Sequence, residues 1–142
     1  MKKETLKFQG RGAQLNPENK FSRNHYISEF AEVIDEDLHL QRKTEYLTET
    51  PKTIVNKVPS PDIPSDYSAN PYQGCEHGCA YCYARPTHEY WGYNGGIEFE
   101  QKIIVKHNAA ALLEKQLRSK SWQVSPIMLS GNTDCYQPAE RK

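Results

Sequence analysis

The apolar residues of the chain are concentrated in its second half, and their clearest periodicity follows Asn108. From residue 109 to residue 120 the leucines share one stripe at helical spacing, and asparagine is a common N-cap, so an amphipathic helix is predicted there. The apolar run at residues 127–131, opened by Pro126, is typical of a buried parallel strand. A strand that follows a helix indicates a βαβ unit, and the predicted fold class is therefore α/β.

Two further segments have the pattern of strands. Four apolar side chains between residues 97 and 105 occupy alternate positions after a glycine-containing turn at residues 93–96, which predicts a half-buried strand. A β-prone run at residues 53–58 is followed by prolines, which do not continue a sheet or a helix. The proline-rich stretch at residues 60–64 is therefore the natural boundary between two parts of the chain.

The first part of the chain is markedly polar. Residues 1–50 are charged and polar with scattered aromatic side chains, and their helix-like pattern is confined to residues 27–40. A chain with only 37% hydrophobic residues is polar enough that we expect a good part of it to be extended rather than packed. We predict a polar, weakly ordered N-terminal extension over residues 1–65 and a packed domain over residues 66–142.

Charge and hydropathy limit which binding partners and which cellular compartment are expected. Lys and Arg total 18, as do Asp and Glu, so net charge gives no indication of binding to nucleic acid or to an anionic membrane. No apolar run reaches the roughly 18 residues that span a bilayer, and the N-terminus lacks the apolar stretch of a signal peptide. We expect no membrane partner and a cytoplasmic location, where thiols stay reduced and clustered cysteines indicate a metal or catalytic site.

Three of the four cysteines lie close together in the sequence. Cys75, Cys79 and Cys82 have the spacing Cys-x3-Cys-x2-Cys, which lets three thiolates wrap one face of a cubane iron–sulfur cluster. Three ligands for four irons leave one iron free to chelate a small molecule through an amine and a carboxylate, much as a catalytic zinc keeps an open position. These three cysteines are the predicted metal ligands.

Two other interpretations of the cysteines stay open. With His77 or His88 they would form a closed zinc site that only stabilises a loop, and the last two cysteines alone would form a redox pair. Zinc ligands usually recur as two Cys-x2-Cys pairs, whereas Cys135 is the only further cysteine, and a redox pair leaves the first cysteine without a role. The alternative function is that of a non-enzymatic protein with a structural iron–sulfur or zinc site.

The residues around the cysteines carry a more specific resemblance. The arrangement Cys-x3-Cys-x-Tyr-Cys, with Asn-Pro-Tyr-Gln-Gly at residues 70–74 and Tyr-Ala-Arg-Pro at residues 83–86, resembles the radical S-adenosylmethionine (SAM) superfamily. Within it, the chain looks like the spore-photoproduct-lyase-like, or DNA repair photolyase-like, branch. Nearly all of the chain takes part in the resemblance. Its supporting segments are residues 11–13, 16–17, 60–64 and 132–138.

The resemblance implies two cofactors, a [4Fe-4S] cluster and S-adenosylmethionine. In this superfamily the reduced cluster cleaves SAM to methionine and a 5′-deoxyadenosyl radical, which takes a hydrogen atom from the substrate. The implied activity is that of a lyase-like enzyme, with DNA photoproducts as a substrate class and a one-electron reductant such as flavodoxin or ferredoxin as partner. Residues 66–142 would form the N-terminal part of a partial (β/α)6 barrel, and a truncated barrel would lack much of the wall that buries SAM.

The resemblance also implies SAM-binding roles outside the cysteines. Tyr81 would lie against the adenine ring, although a plain core tyrosine is the other interpretation. The segment after the second barrel strand would meet the SAM amino group, or else form an ordinary turn. Because active sites of barrels gather at the carboxyl ends of strands, this segment and the cysteine loop should lie on the same face. The implied cofactor-binding residues are Tyr81, Gly131, Asn132, Thr133 and Asp134.

Three further residues keep open roles, and no catalytic side chain is assigned. Arg85 and His88 follow the cysteines and would either contact SAM or substrate, or cap and pack the first helix. Cys135 would either return a hydrogen atom, as a cysteine does in spore lyases, or be a buried free thiol. No basic stripe or groove-reading motif supports DNA binding, so peptide and small-molecule substrates stay open.

Overall fold

The computed structural model describes residues 10–13, 17–21 and 43–141, which contain six short strands, two α-helices and two 3-10 helices. The predicted class, α/β, is confirmed in this coarse sense, because the described chain contains two small sheets and a few helices. In chain order the elements are β1 (Glu45–Thr48), β2 (Val55–Lys57), β3 (Tyr67–Ala69), β4 (Tyr72–Gln73), a 3-10 helix (Arg85–Trp91), α1 (Ile97–Gln101), β5 (Lys102–Val105), α2 (Ala109–Leu117), β6 (Ile127–Leu129) and a second 3-10 helix (Pro138–Arg141).

The strands form two three-stranded sheets. In the first sheet β5 is central, with β1 parallel to it on one side and β4 antiparallel to it on the other. In the second sheet β3 is central, antiparallel to β2 and parallel to β6. Because β6 follows α2 and pairs in parallel with β3, the chain contains the crossover that its sequence predicts.

Strand β5 lies at the centre of the core. Its Ile103 is fully buried, as an apolar residue in a strand paired on both edges should be. Next to this strand, Phe99 packs with Cys75 and Ala84 into a small cluster, and Cys82 is partly buried against it. The loop that carries the cysteines is thus fixed to the core near both of its ends.

The strand predicted for residues 97–105 is wrong in its first half, where Ile97–Gln101 form α1, and correct in its second, which forms β5. Hydrogen bonds from side chains explain the difference. The Glu98 carboxylate accepts the Asn94 N–H at 2.8 Å, and the Asn94 side-chain oxygen accepts the Gly96 N–H at 2.9 Å. Bonds of this kind satisfy the backbone locally and favour a turn into a helix over continued extension.

The predicted helix after Asn108 and the predicted strand after Pro126 are confirmed, with shorter bounds. The Asn108 side chain does not cap α2 and instead donates to the Pro51 carbonyl at 3.1 Å. Strand β6 is parallel, as predicted, but it is not buried: β3 is its one partner among the described strands, and Leu129 is 55% exposed. The prediction was therefore correct about the parallel direction of β6 and wrong about its burial.

Strands on both sides of residue 65 take part in the sheets. The β-prone run at residues 53–58 contains β2, and β1 precedes it, and both pair with strands that follow residue 65. The helix-like pattern at residues 27–40 lies outside the described residues. Every helix within the described ranges is too short or too polar to span a bilayer.

His88 is a fully buried imidazole in the core. Its ring packs against Tyr93 and Phe99, at centroid distances of 5.3 and 5.5 Å. Neither ring nitrogen makes a hydrogen bond of good geometry in the described part of the chain, although the Glu98 backbone lies close to the ring. Burial lowers the pKa of His88 to about 4, and the nearby Glu98 carboxylate offsets part of this effect. Of the two roles open for His88 from the sequence, its surroundings favour packing.

Acid should therefore destabilise the protein partly through His88. As the pH falls from the ordinary histidine pKa of 6.5 to the folded value of about 4, the unfolded chain binds a proton that the native imidazole does not, so stability is lost. Between about pH 7 and about pH 4.5 we expect His88→Phe to lose about 2 kcal/mol less of its free energy of unfolding than the wild type. Urea unfolding at several pH values measures this difference.

Exposed His107 provides the matched control, because His107→Phe removes a histidine without changing the core. This variant should keep the acid sensitivity of the wild type. If His88→Phe keeps it as well, His88 is not the group responsible.

Candidate functional site

The cysteine loop, residues 75–82, consists of two successive turns that follow β4. The Gly78 N–H donates to the Cys75 carbonyl at 3.3 Å, and the Cys82 N–H donates to the Cys79 carbonyl at 3.2 Å. At the start of the loop, the Cys75 N–H donates to the Phe99 carbonyl at 2.9 Å, which attaches the loop to α1. All three thiols are free, so each is available as a ligand.

Cys75 occupies the buried end of the loop, and its sulfur faces hydrogen-bond donors. The backbone N–H groups of His77 and Asp134 point at this sulfur, and His77 Nδ1 lies 3.4 Å from it. Burial raises the pKa of the Cys75 thiol, and the two N–H groups oppose the rise because they stabilise a thiolate. Outer contacts of this kind commonly orient and tune the ligands of metal sites.

The other two cysteines and Tyr81 lie toward solvent. Cys79 is exposed, Cys82 is half-buried, and the Tyr81 side chain is 91% exposed. The interpretation of Tyr81 as a core tyrosine is therefore wrong, and its ring is open to a stacking ligand. Within the described residues no three His, Cys, Asp or Glu side chains stand close enough together to hold a metal ion. To bind one, the three thiols would have to turn toward it.

Residues 131–137, which follow β6, lie against the cysteine loop. The Asp134 carboxylate is 3.7 Å from His77 Nδ1, and the Tyr83 hydroxyl donates to the Gly131 carbonyl. Two segments separated by about fifty residues are thus brought to one place, which is the arrangement expected for the carboxyl ends of neighbouring strands. The four residues that the sequence singled out here, Gly131, Asn132, Thr133 and Asp134, all lie in this segment.

Hydrogen bonds hold this segment to the strand that leads into the loop. The Asn132 N–H donates to the Asn70 side-chain oxygen, and the buried Thr133 hydroxyl donates to the Tyr72 carbonyl, each at 3.0 Å. Just before them, Ser130 has a φ of 65°, a left-handed conformation that residues other than glycine rarely adopt. Strained backbone of this kind occurs where surrounding contacts impose it, often at functional sites.

Gln137 is a residue of the site that the sequence analysis missed. Its side chain accepts the Glu76 N–H at 3.2 Å and donates to the Gly74 carbonyl at 3.1 Å, and the residue is only 1% exposed. One amide thus satisfies the backbone on both sides of Cys75, as a neighbouring strand would. The signal for it in the sequence was its place in the segment 132–138, which takes part in the resemblance.

A buried ion pair lies under the opposite side of the loop, and sequence analysis missed its role as well. The fully buried Glu100 carboxylate accepts a hydrogen bond of 2.6 Å from Arg85. Arg85 also donates to the carbonyls of Gly78 and Cys79, each at 3.0 Å. Of the two roles open for Arg85 from the sequence, these contacts favour the structural one.

Residues 11–13 complete this network from the N-terminal part of the chain. Their three backbone N–H groups all donate to the Glu100 carboxylate and so form a small anion-binding nest. Gly12 approaches the loop so closely that an added Cβ would lie 1.8 Å from the Gly78 carbonyl oxygen. Only glycine fits this approach, and the segment closes one side of the cysteine loop.

Thiols are ligands that both iron–sulfur clusters and zinc sites use. Three free thiols share one loop, one of them already faces N–H donors, and the Cys79 side of the loop is exposed. Of the two histidines that could complete a zinc site, His88 is enclosed by aromatic rings, whereas His77 lies beside the loop. Three sulfurs with one open side match the three-ligand count of a cubane.

Comparisons with known proteins find relatives in Mycobacterium and in Methanocaldococcus. No family model matches the chain, and no solved structure matches it. Uncharacterized proteins Mb2609c of Mycobacterium bovis and Rv2578c of Mycobacterium tuberculosis are each 48% identical to it over 90 residues, or 63% of this chain. Uncharacterized protein MJ0683 of Methanocaldococcus jannaschii is 32% identical over 76 residues, or 53% of this chain. Each match covers 26% of the relative's own length.

The substitution Gln137→Leu should destabilise the protein, because it leaves the Glu76 N–H and the Gly74 carbonyl without partners in the interior. Each unsatisfied buried group costs about 1–3 kcal/mol, so we expect the free energy of unfolding to fall by about 2–4 kcal/mol. Urea unfolding measures the loss, and Gln123→Leu at an exposed position is the matched control. Equal stability of the two variants would refute the bridging role of Gln137.

Proposed function

We propose that this chain is the N-terminal part of a radical SAM enzyme and binds a [4Fe-4S] cluster through Cys75, Cys79 and Cys82. The observation that carries the proposal is the loop itself, with three free thiols on two successive turns beside an exposed tyrosine. Three sulfur ligands leave one iron of a cubane without a protein ligand, and that iron is where SAM would chelate.

The surroundings of Cys75 support a cluster ligand. N–H donors from His77 and Asp134 face its sulfur, and Gln137 holds the residues on either side of it. Such donors stabilise the thiolate form that a metal requires. Because the donors come from two segments far apart in the sequence, their position beside the Cys75 sulfur depends on the tertiary fold.

Tyr81 and residues 131–134 are the proposed contacts for SAM. The exposed Tyr81 ring would stack on the adenine, and the Asp134 carboxylate, 43% exposed, would accept hydrogen bonds from the amino group. When bound, the cluster would supply one electron to SAM, whose carbon–sulfur bond then breaks to give methionine and a 5′-deoxyadenosyl radical. The part of this chain is to bind and orient SAM beside the cysteine loop.

The proposal includes a fold, a compartment and partners. The parallel β3–β6 pair would begin a (β/α)6 barrel, and a one-electron reductant such as flavodoxin or ferredoxin would serve the cluster in the cytoplasm. DNA photoproducts are proposed as the substrate class on resemblance alone. The equal numbers of acidic and basic residues add nothing in favour of DNA, whose binding depends on neutralising phosphates.

The second candidate is a structural iron–sulfur or zinc site without catalysis. The observation that favours it is the dense network around the loop, in which Arg85 and Gln137 fix the backbone as a structural metal site would need. Affinity for SAM separates the candidates, because a structural site has no reason to bind it.

Anaerobic reconstitution with iron and sulfide, followed by electron paramagnetic resonance of the reduced protein with and without SAM, tests the proposed function. We expect a [4Fe-4S] signal that shifts when SAM is added. Cys79→Ala should abolish the signal, because two thiolates do not hold a cubane that needs three. Cys135→Ala removes a thiol outside the loop and should keep the signal, so it is the matched control.

Two results would speak against the proposal. A cluster signal that does not respond to SAM would favour the structural site. Tightly bound zinc with no cluster after reconstitution would overturn the assignment of the cysteines to iron and sulfide.

A further inference from the structure

We propose that Arg85 and Glu100 are positioning residues for Cys79, and that residues 11–13 act on the same turn through Glu100. The inference deepens the proposed function, since it concerns the same cysteine loop. Its geometric basis, however, is the protein backbone and does not depend on which group the cysteines bind.

The Arg85 guanidinium joins the exposed part of the cysteine loop to the turn before α1. Its Nε donates to the Cys79 carbonyl and its Nη2 to the Gly78 carbonyl, each at 3.0 Å. Its Nη1 donates to the carbonyls of Gly95 and Gly96 at 3.2 and 3.0 Å. A planar group with donors in a rigid fork is suited to hold four carbonyls at once, which the point charge of a lysine is not.

Glu100 fixes the position of Arg85. Its carboxylate has no exposure and bonds to Arg85 Nη2 at 2.6 Å, while the Arg85 side chain is 12% exposed. A carboxylate buried to this extent requires a charged partner and further donors, and residues 11–13 supply the donors through their backbone. Glu100 thus connects the N-terminal segment to the group that holds the Cys79 turn.

The N-terminal segment also touches the loop directly. Gly12 packs on the Gly78 carbonyl, and an Arg11 guanidinium nitrogen lies 3.6 Å from the Glu76 carboxylate. Another nitrogen of Arg11 donates to the Glu100 carbonyl at 2.6 Å. The turn between Cys75 and Cys79 is therefore enclosed by residues 11–13 on one side and Arg85 on the other.

The two ends of the loop have separate supports, which makes the inference testable. Cys75 is held by the Phe99 carbonyl and flanked by Gln137, whereas the Cys79 carbonyl is held by Arg85. Loss of Arg85 or Glu100 should free the turn at Cys79 and leave the Cys75 end and β5 in place. Metal ligands need positions defined to within a fraction of an ångström, so a free Cys79 should weaken any bound cluster.

The first experiment is hydrogen–deuterium exchange on the cluster-free full chain, with Arg85→Lys, Arg85→Gln and Glu100→Gln. We expect faster exchange at residues 78–82 in all three variants and unchanged exchange in β5. Arg118→Gln is the matched control, because Arg118 is 78% exposed and pairs with Glu114 at the surface. It should alter neither region.

The second experiment measures iron retained after reconstitution, in competition with a chelator. Loss of an outer contact to a metal ligand typically lowers metal affinity about 10–100-fold, and we expect a loss of this size for Arg85→Lys and Glu100→Gln. Gly12→Ala, which places a Cβ against the Gly78 carbonyl, should act in the same direction. Arg118→Gln should retain iron as the wild type does.

The outcomes separate this inference from the proposed function. If the wild type binds no iron, the proposed function fails, while exchange at residues 78–82 still decides the role of Arg85. Variants whose loop exchanges like the Arg118→Gln control would overturn the inference. Faster exchange in β5 as well as in the loop of Arg85→Lys and Glu100→Gln would also overturn it, because that result indicates a general structural role. Selective opening of residues 78–82 would support it even if Arg85→Gln does not fold.

Discussion

The fully buried carboxylate of Glu100 is the constraint on which the rest of the site depends. A carboxylate without solvent is tolerated only when it is paired and hydrogen-bonded, and here Arg85 and the backbone of residues 11–13 meet that requirement. Because Arg85 also bonds the cysteine loop, satisfying Glu100 determines where both the loop and the N-terminal segment lie.

Gln137 supports the cysteine loop from the opposite side. Together, Gln137 and the Arg85–Glu100 pair hold the backbone of the loop in place, while side chains of the loop stay exposed. Gly78 is buried, yet Cys79 and Tyr81 beside it are exposed. This division suits a site that must hold several ligands in fixed positions and still admit a small molecule. The cluster and SAM of the proposed function require that combination, whereas a closed structural site would require only the rigidity.

The elements that the sequence predicted correctly have local causes. The leucine stripe was sufficient to predict α2, and the apolar run was sufficient to predict β6. The spacing of the cysteines was sufficient to predict that they share one loop. The prediction for residues 97–101 was wrong because two side chains near the turn outweighed an alternating apolar pattern. Gln137 and Glu100 were missed because their roles depend on partners 61 and 89 residues away, which no local pattern encodes.

Exposure around the site also bears on how the proposed chemistry would proceed. SAM stacked on Tyr81 would meet solvent on the described part of the chain, since that ring is 91% exposed. A carbon radical reacts with whatever lies near it, so an enzyme of this kind must exclude water and unwanted groups. Cover would have to come from polypeptide beyond the described residues. In the relatives, the matching segment is 26% of the protein, so most of their length lies outside it. Binding of the cluster and of SAM can therefore be tested on this chain. The proposed substrate chemistry depends, in addition, on the polypeptide that would cover SAM.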